Sequence, residues 1–171
     1  MGSHEATGSV DDLVAIYRPA LPQVYGYLLP RCGGVALAED LTAETFMAAV
    51  NGLERGAAPV PTVSWLIGIA RHKLVDHWRR LEREQRSLAS AGGDEIDDPW
   101  PEVVQADAIH AVLSRLPAFQ RAALVLRYLD GLSVSEVAAC VGRSLHATET
   151  LLVRARSALR RIYLEEYGDD G

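Results

Sequence analysis

Pro117-Ala-Phe-Gln-Arg-Ala-Ala-Leu-Val-Leu-Arg-Tyr-Leu-Asp130-Gly131-Leu-Ser133-Val-Ser-Glu136-Val-Ala-Ala-Cys-Val-Gly142-Arg-Ser144-Leu-His-Ala-Thr-Glu-Thr-Leu-Leu-Val-Arg154-Ala-Arg156 is the stretch whose reading decides the fold. It reads as three helices with marked ends. Pro117 suits a first helical position, because its missing N–H would have no helical partner there. Asp130-Gly131 signals a turn after an apolar run. Ser133 and Glu136 have the spacing of a capping box, in which each side chain satisfies a free backbone donor of the other. Gly142 can take the left-handed cap, and Ser144 can cap the next helix. A short helix, a turn containing Gly and a longer helix make the helix-turn-helix layout.

The last helix has two faces. Leu145, Thr148, Leu152, Ala155 and Leu159 recur at spacings of three and four and form the expected packing stripe. His146, Glu149, Thr150, Val153 and Arg154 share the other side, which in a DNA reader enters the major groove. The same geometry also serves as plain scaffold, so the rest of the chain must discriminate.

Working outward, 171 residues fit one large domain or two small ones, and 49% hydrophobic content supplies a core. Apolar spacings of three and four prevail over strand-like alternation, which predicts an all-α fold. No apolar run reaches the roughly 18 residues of a membrane span, and no signal peptide is present, so a cytoplasmic location without membrane insertion is expected. Met1-Gly2-Ser3-His4 has the look of an expression-vector remnant. Cys32 and Cys140 have no companions at metal-ligand spacing, so no metal site, no cofactor and a reducing compartment are expected, with Cys140 buried. The carboxylates Glu39, Asp40 and Glu44 have no His or Ser beside them at a catalytic spacing. No catalytic residue is assigned.

The net charge is −6, which opposes free binding to a phosphate backbone. Its distribution matters more. Residues 71–86 carry net +3 and residues 143–161 carry net +4, separated by an acidic stretch. Two nucleic-acid-contacting modules delivered by a third party fit that pattern.

The first module is expected over residues 10–84. It begins with an apolar helical pattern from Leu13 to Leu28, in which Pro19 and Pro22 predict a kink or two short helices. A second helix follows from Ala36 to about Val50, with its acids near the start where the helix dipole favours them. Residues 51–62 hold Gly52, Gly56, Pro59 and Pro61 and read as a loop. The next helix carries a packing stripe of Leu66, Ala70, Leu74, Trp78 and Leu81. Its other stripe is polar and largely basic: His72, Asp76, Arg79, Arg80 and Arg83, with Trp65 continuing the line. Basic side chains beside an aromatic suit single-stranded nucleic acid, although Trp65 also reads as core. Residues 85–101 have the composition of a flexible acidic linker. The second module is expected over residues 102–164.

Both halves, in this order, resemble an RNA polymerase sigma factor of the extracytoplasmic-function group. The residues that carry the likeness run from Ala38 to Phe46, from Trp65 to Arg80, from Leu126 to Ser133 and from Arg154 to Arg161, together with Leu116-Pro117. The resemblance covers residues 10–163. It implies a protein that joins core RNA polymerase and directs initiation at chosen promoters. By that resemblance Asp40, Leu41, Ala43 and Glu44 meet the beta-prime clamp coiled coil; the family usually has Gln at the position of Ala43. Trp65, His72, Lys73, Arg79 and Arg80 fall on the minus-ten contacts, and the loop at residues 56–62 holds a flipped-out base. Arg127, Glu149, Thr150, Val153 and Arg154 fall on the minus-thirty-five contacts, and the second module also touches the beta flap. Glu149 and Leu151 stand where basic residues are usual, so an atypical minus-thirty-five preference is implied. An anti-sigma factor covering both modules is the implied regulator. The resemblance resolves the charge conflict, since such a factor meets DNA within the holoenzyme. The rival readings are a stand-alone helix-turn-helix regulator, which leaves the loop and the basic stripe unexplained, and a nuclease, which lacks a metal-binding cluster.

Overall fold

The computed structural model describes residues 6–91 and 108–168. Among these the fold is all helical, with α1 at Val10–Cys32, α2 at Val35–Glu54, α3 at Val63–Ala91, α4 at Ala108–Ser114, α5 at Ala118–Leu124, α6 at Val134–Val141 and α7 at Leu145–Tyr167. The chain divides into two compact units, Met1–Leu74 and Val75–Gly171, and the division falls inside α3.

In the first unit, Ser9 and Asp12 form a capping box that starts α1, with Ser9 Oγ accepting from the Asp12 amide at 3.2 Å. The serine hydroxyl and amide both donate to the Asp12 carboxylate, which holds its pKa below the ordinary value. Of the two outcomes expected at Pro19 and Pro22, the split into two short helices does not occur, and α1 is a single helix containing Pro19, Pro22 and Pro30. All three prolines are exposed. The carbonyls that they deprive of a donor therefore lie on the solvent side, where water can replace the lost bond. The opposite side, through Leu13, Ala20, Val24 and Leu28, is buried. Gly33, at φ 74°, closes the helix in the left-handed conformation that favours glycine. α2 buries Ala38, Leu41, Phe46, Ala49 and Leu53, and the Tyr17 ring meets Phe46 edge-on at 5.1 Å.

The stripe expected on α3 is present. Leu66, Ala70, Leu74 and Trp78 are at most 2% exposed, while Leu81 is half-buried. The helix runs on to Ala91, through the first seven residues of the stretch read as linker. Glu82 and Arg86, one turn apart at 3.4 Å, support this extension. The remainder of that stretch, residues 92–101, lies outside the described residues.

In the second unit the caps fall where the spacing predicts. Ser133 and Glu136 form a reciprocal box at the start of α6, Gly142 has φ 70°, and Ser144 accepts from the Ala147 amide at 3.2 Å to open α7. Pro117 stands at the cap itself, one residue before the helix. One element has no signal in the sequence: α5 ends in a π-helical turn at Val125–Leu129, with the Asp130 amide bonding the Val125 carbonyl. This widened turn precedes Gly131, at φ 68°, and leads the chain into α6. The packing stripe of α7 also shifts. Thr148, Leu152 and Ala155 are buried as expected, but Leu145 is 48% exposed, and Leu151 and Ile162 are buried instead. Cys140 is half-buried rather than buried.

Candidate nucleic-acid interface

The helix-turn-helix is built from local bonds. The Ser133 amide donates to the Glu136 carboxylate at 2.6 Å, and the Thr148 hydroxyl donates back to the Ser144 carbonyl at 2.9 Å. Thr148 is fully buried and its polar atom is satisfied within its own helix, so it anchors α7 without facing a ligand.

The exposed face of α7 presents Glu149, Val153 and Arg154, with Thr150 half-buried beside them. Val153 is 55% exposed. His146 Nδ1 stands 4.0 Å from the Glu149 carboxylate. An apolar side chain between a carboxylate and a guanidinium offers contacts for a thymine methyl, a cytosine amine and a guanine edge respectively. Leu151 is different. It is 8% exposed and packs inward, so it faces no base although the sequence reading set it beside Glu149. Thr150, Leu151 and Arg154 line a cleft with Phe119, Arg143 and Glu82. Within it the Arg143 guanidinium lies over the Phe119 ring at 4.7 Å and reaches the Glu82 carboxylate at 3.9 Å.

Arg127 occupies a distinct place. Its guanidinium donates to the Leu132 carbonyl at 2.9 Å, across the turn that enters α6, so it braces that turn. The adjacent Tyr128 hydroxyl accepts from Arg156 at 3.1 Å. Spacing gave no sign of either bond, because one leaves the π-helical turn for the chain just beyond it and the other joins that turn to α7.

On α3, Trp65 is half-buried, His72 and Arg80 are exposed, and Lys73 is half-buried. Trp65 therefore belongs wholly to neither the core nor the surface. Arg79 is half-buried, and its guanidinium donates to the Cys140 carbonyl at the end of α6. It lies so near the α6–α7 turn that a Cβ added to Gly142 would be 3.2 Å from the Arg79 Nη2. The polar stripe of α3 is thus uneven: Arg80 projects to solvent while Arg79 holds protein backbone.

On α2, Asp40 and Ala43 are exposed and Glu44 is half-buried, whereas Leu41 is 1% exposed. Leu41 supports this surface from below and does not contribute to it. Sequence reasoning missed Met47, one turn beyond Ala43 and 65% exposed. Met47 and the exposed Val14 and Tyr17 of α1 line an open apolar groove of about 700 Å³. A methionine just off the buried stripe of α2 was the available signal, since methionine suits adaptable binding surfaces.

Known families match both halves. Residues 16–84 match Sigma-70 region 2, and residues 106–159 match Sigma-70, region 4. The chain is 31% identical to the ECF RNA polymerase sigma factor SigF of Caulobacter vibrioides, over 88% of this chain and 87% of that one. The chain belongs to the extracytoplasmic-function sigma factor family. It is also 34% identical to the ECF RNA polymerase sigma factor BldN of Streptomyces coelicolor, over 91% of its own length and 61% of that protein's. It thus spans less than two thirds of that relative. The sigma factor RpoE of Bartonella quintana, solved in complex with the anti-sigma factor NepR, shares the fold at a TM-score of 0.54 and 23% identity, over 89% of this chain and 96% of that one. Among the described residues of this sigma factor, no helix is long and apolar enough to cross a membrane, and no group of three His, Cys, Asp or Glu could hold a metal ion.

Proposed function

We propose that this sigma factor binds core RNA polymerase and directs initiation at promoters whose minus-thirty-five element is read by α7. The observation that carries the reading is the capped α6–turn–α7 unit with Glu149, Val153 and Arg154 outward, in a chain matching both sigma regions. The working modules are residues 10–84 and 102–164, joined by residues 85–101. Asp40, Ala43 and Glu44, with Met47, form the surface offered to the polymerase clamp. His72, Lys73 and Arg80 meet the opened minus-ten strand, near the loop at residues 56–62 that holds one flipped base. Arg79 joins them only when its bond to the Cys140 carbonyl opens. The protein performs no chemistry; the polymerase does. An anti-sigma factor is the proposed regulator, and the apolar groove on α1 and α2 suits such a partner.

The net charge of −6 makes the free chain a weak ligand for duplex DNA. Run-off transcription with core polymerase tests the reading. Promoter-specific transcripts are expected only when both are present. Equal transcription by core polymerase alone, or tight promoter binding by the free chain, would overturn it in favour of a stand-alone regulator.

A further inference from the structure

The loop between α2 and α3 is pinned by a segment that no function above uses. The Gly8 amide donates to the Ala58 carbonyl at 3.0 Å, and Thr7 pairs with Pro59 in a single antiparallel bridge. Gly8 is buried, with no room for a side chain: an added Cβ would lie 2.3 Å from the Pro59 carbonyl oxygen and 2.8 Å from Pro61 Cδ. The next residue, Ser9, opens α1 through its capping box, so the pairing segment is attached directly to a rigid helix.

The loop is held at its other points too. Ala58 and Pro61 are buried, and Gly56 sits at φ 68°. Thr62 ends the loop by capping α3, its hydroxyl accepting from the Trp65 amide at 3.1 Å. Pro59 and Val60 are left exposed as a short edge between these anchors. Such an edge needs external support, because Pro59 and Pro61 have no N–H to donate to a neighbour. The Gly8 amide provides such support by donating to the Ala58 carbonyl, a bond in which the loop is the acceptor.

We propose that Thr7 and Gly8 are positioning residues for base recognition, fixing the Pro59–Val60 edge so that it admits one unpaired base and rejects others. This rests on the reading of residues 56–62 as the flipped-base loop. A pocket that discriminates by shape loses selectivity when its wall relaxes by a fraction of an ångström, even while it still binds.

The test uses holoenzyme assembled with the full chain, with Gly8→Val, with a chain in which Met is followed directly by Ser9, and with Thr7→Ser. Each transcribes a promoter set in which every minus-ten position carries all four bases in turn. Thr7→Ser should keep the parent profile, since the pairing is through the backbone. Gly8→Val and the shortened chain should lose discrimination at the flipped position by about fivefold or more, the lower end of what one base contact supplies. Preferences at the other positions and core polymerase affinity should stay as in the parent, and the shortened chain, which introduces no clash, should also keep the parent thermal midpoint. Unchanged discrimination in both variants would overturn the proposal, as would an equal loss at all positions with a lowered midpoint, which marks a merely structural strap. A parent holoenzyme indifferent at every minus-ten position would overturn the reading of the loop itself, and the proposal with it.

Discussion

Arg79 of α3 and Arg154 of α7 are both basic side chains on the polar side of a long amphipathic helix. Arg79 is half-buried and spends its guanidinium on the Cys140 carbonyl, beside the left-handed turn at Gly142. Arg154 is exposed, with the open Val153 beside it. Helical periodicity puts a charge on a face; the neighbouring element decides whether that charge faces a ligand or the protein. A phosphate contact by Arg79 must displace an existing hydrogen bond, whereas a base contact by Arg154 needs no such exchange.

The buried sides of the two helices set the scale for this comparison. Trp78→Ala on α3 should lower unfolding free energy by about 3–5 kcal/mol, and Leu152→Ala on α7 by about 2–5 kcal/mol. Urea denaturation measures both, and a loss below about 1 kcal/mol in either would show that helix to be loosely packed. On the polar sides the two arginines should separate. Arg154→Ala should weaken discrimination at one minus-thirty-five base pair by about 1–3 kcal/mol while leaving stability unchanged. Arg79→Ala should instead destabilise the protein by about 1–2 kcal/mol through the lost charge-assisted bond. Promoter competition beside thermal melts resolves the pair, and identical behaviour of the two variants would break the comparison.

A smaller effect concerns the turn into α6 that Arg127 braces. Ser133→Ala removes the box that starts α6 and should cost about 1 kcal/mol, visible as a lowered thermal midpoint with promoter selectivity retained. Smallest is the contrast between the two cysteines. Burial pushes the Cys32 thiol up to about 12, partly opposed by the charge of Arg31, while Cys140 is half-exposed. Since the thiolate is the reactive form, alkylation at pH 8 should modify Cys140 first and Cys32 only on unfolding. The sign for stability follows from the raised value. Above the ordinary 9.0 the unfolded thiol ionises and the folded one does not, so this group's contribution is lost as pH rises from 9 towards 12. Modification of Cys32 at the Cys140 rate would show that α1 opens readily.

The helix-turn-helix was legible because its determinants are local. Ser133 reaches Glu136, Ser144 reaches Ala147 and Gly142 takes its own φ, each within four residues of chain. The open side of α7 at Glu149, Val153 and Arg154 was legible for the same reason, since spacing alone places it, while the two-module order was legible in the charge pattern and the family resemblance. The unbroken α1 was not, because a proline's cost depends on whether water or a neighbouring helix meets the freed carbonyl. Nor was the π-helical turn, which trades ordinary ladder bonds for the route of the chain into α6.

By itself, then, the sequence determined that the chain is helical, where most helices start and stop, and which faces are apolar. Those properties come from hydrogen bonds and periodicities only a few residues long. The tertiary structure alone decided that Leu41 and Leu151 face inward, that Met47 stays outside, that Arg127 and Arg79 hold backbone carbonyls, and that Gly8 lies against Pro59. Each depends on residues distant in the chain or on a departure from ideal helix geometry, and a one-dimensional pattern carries neither.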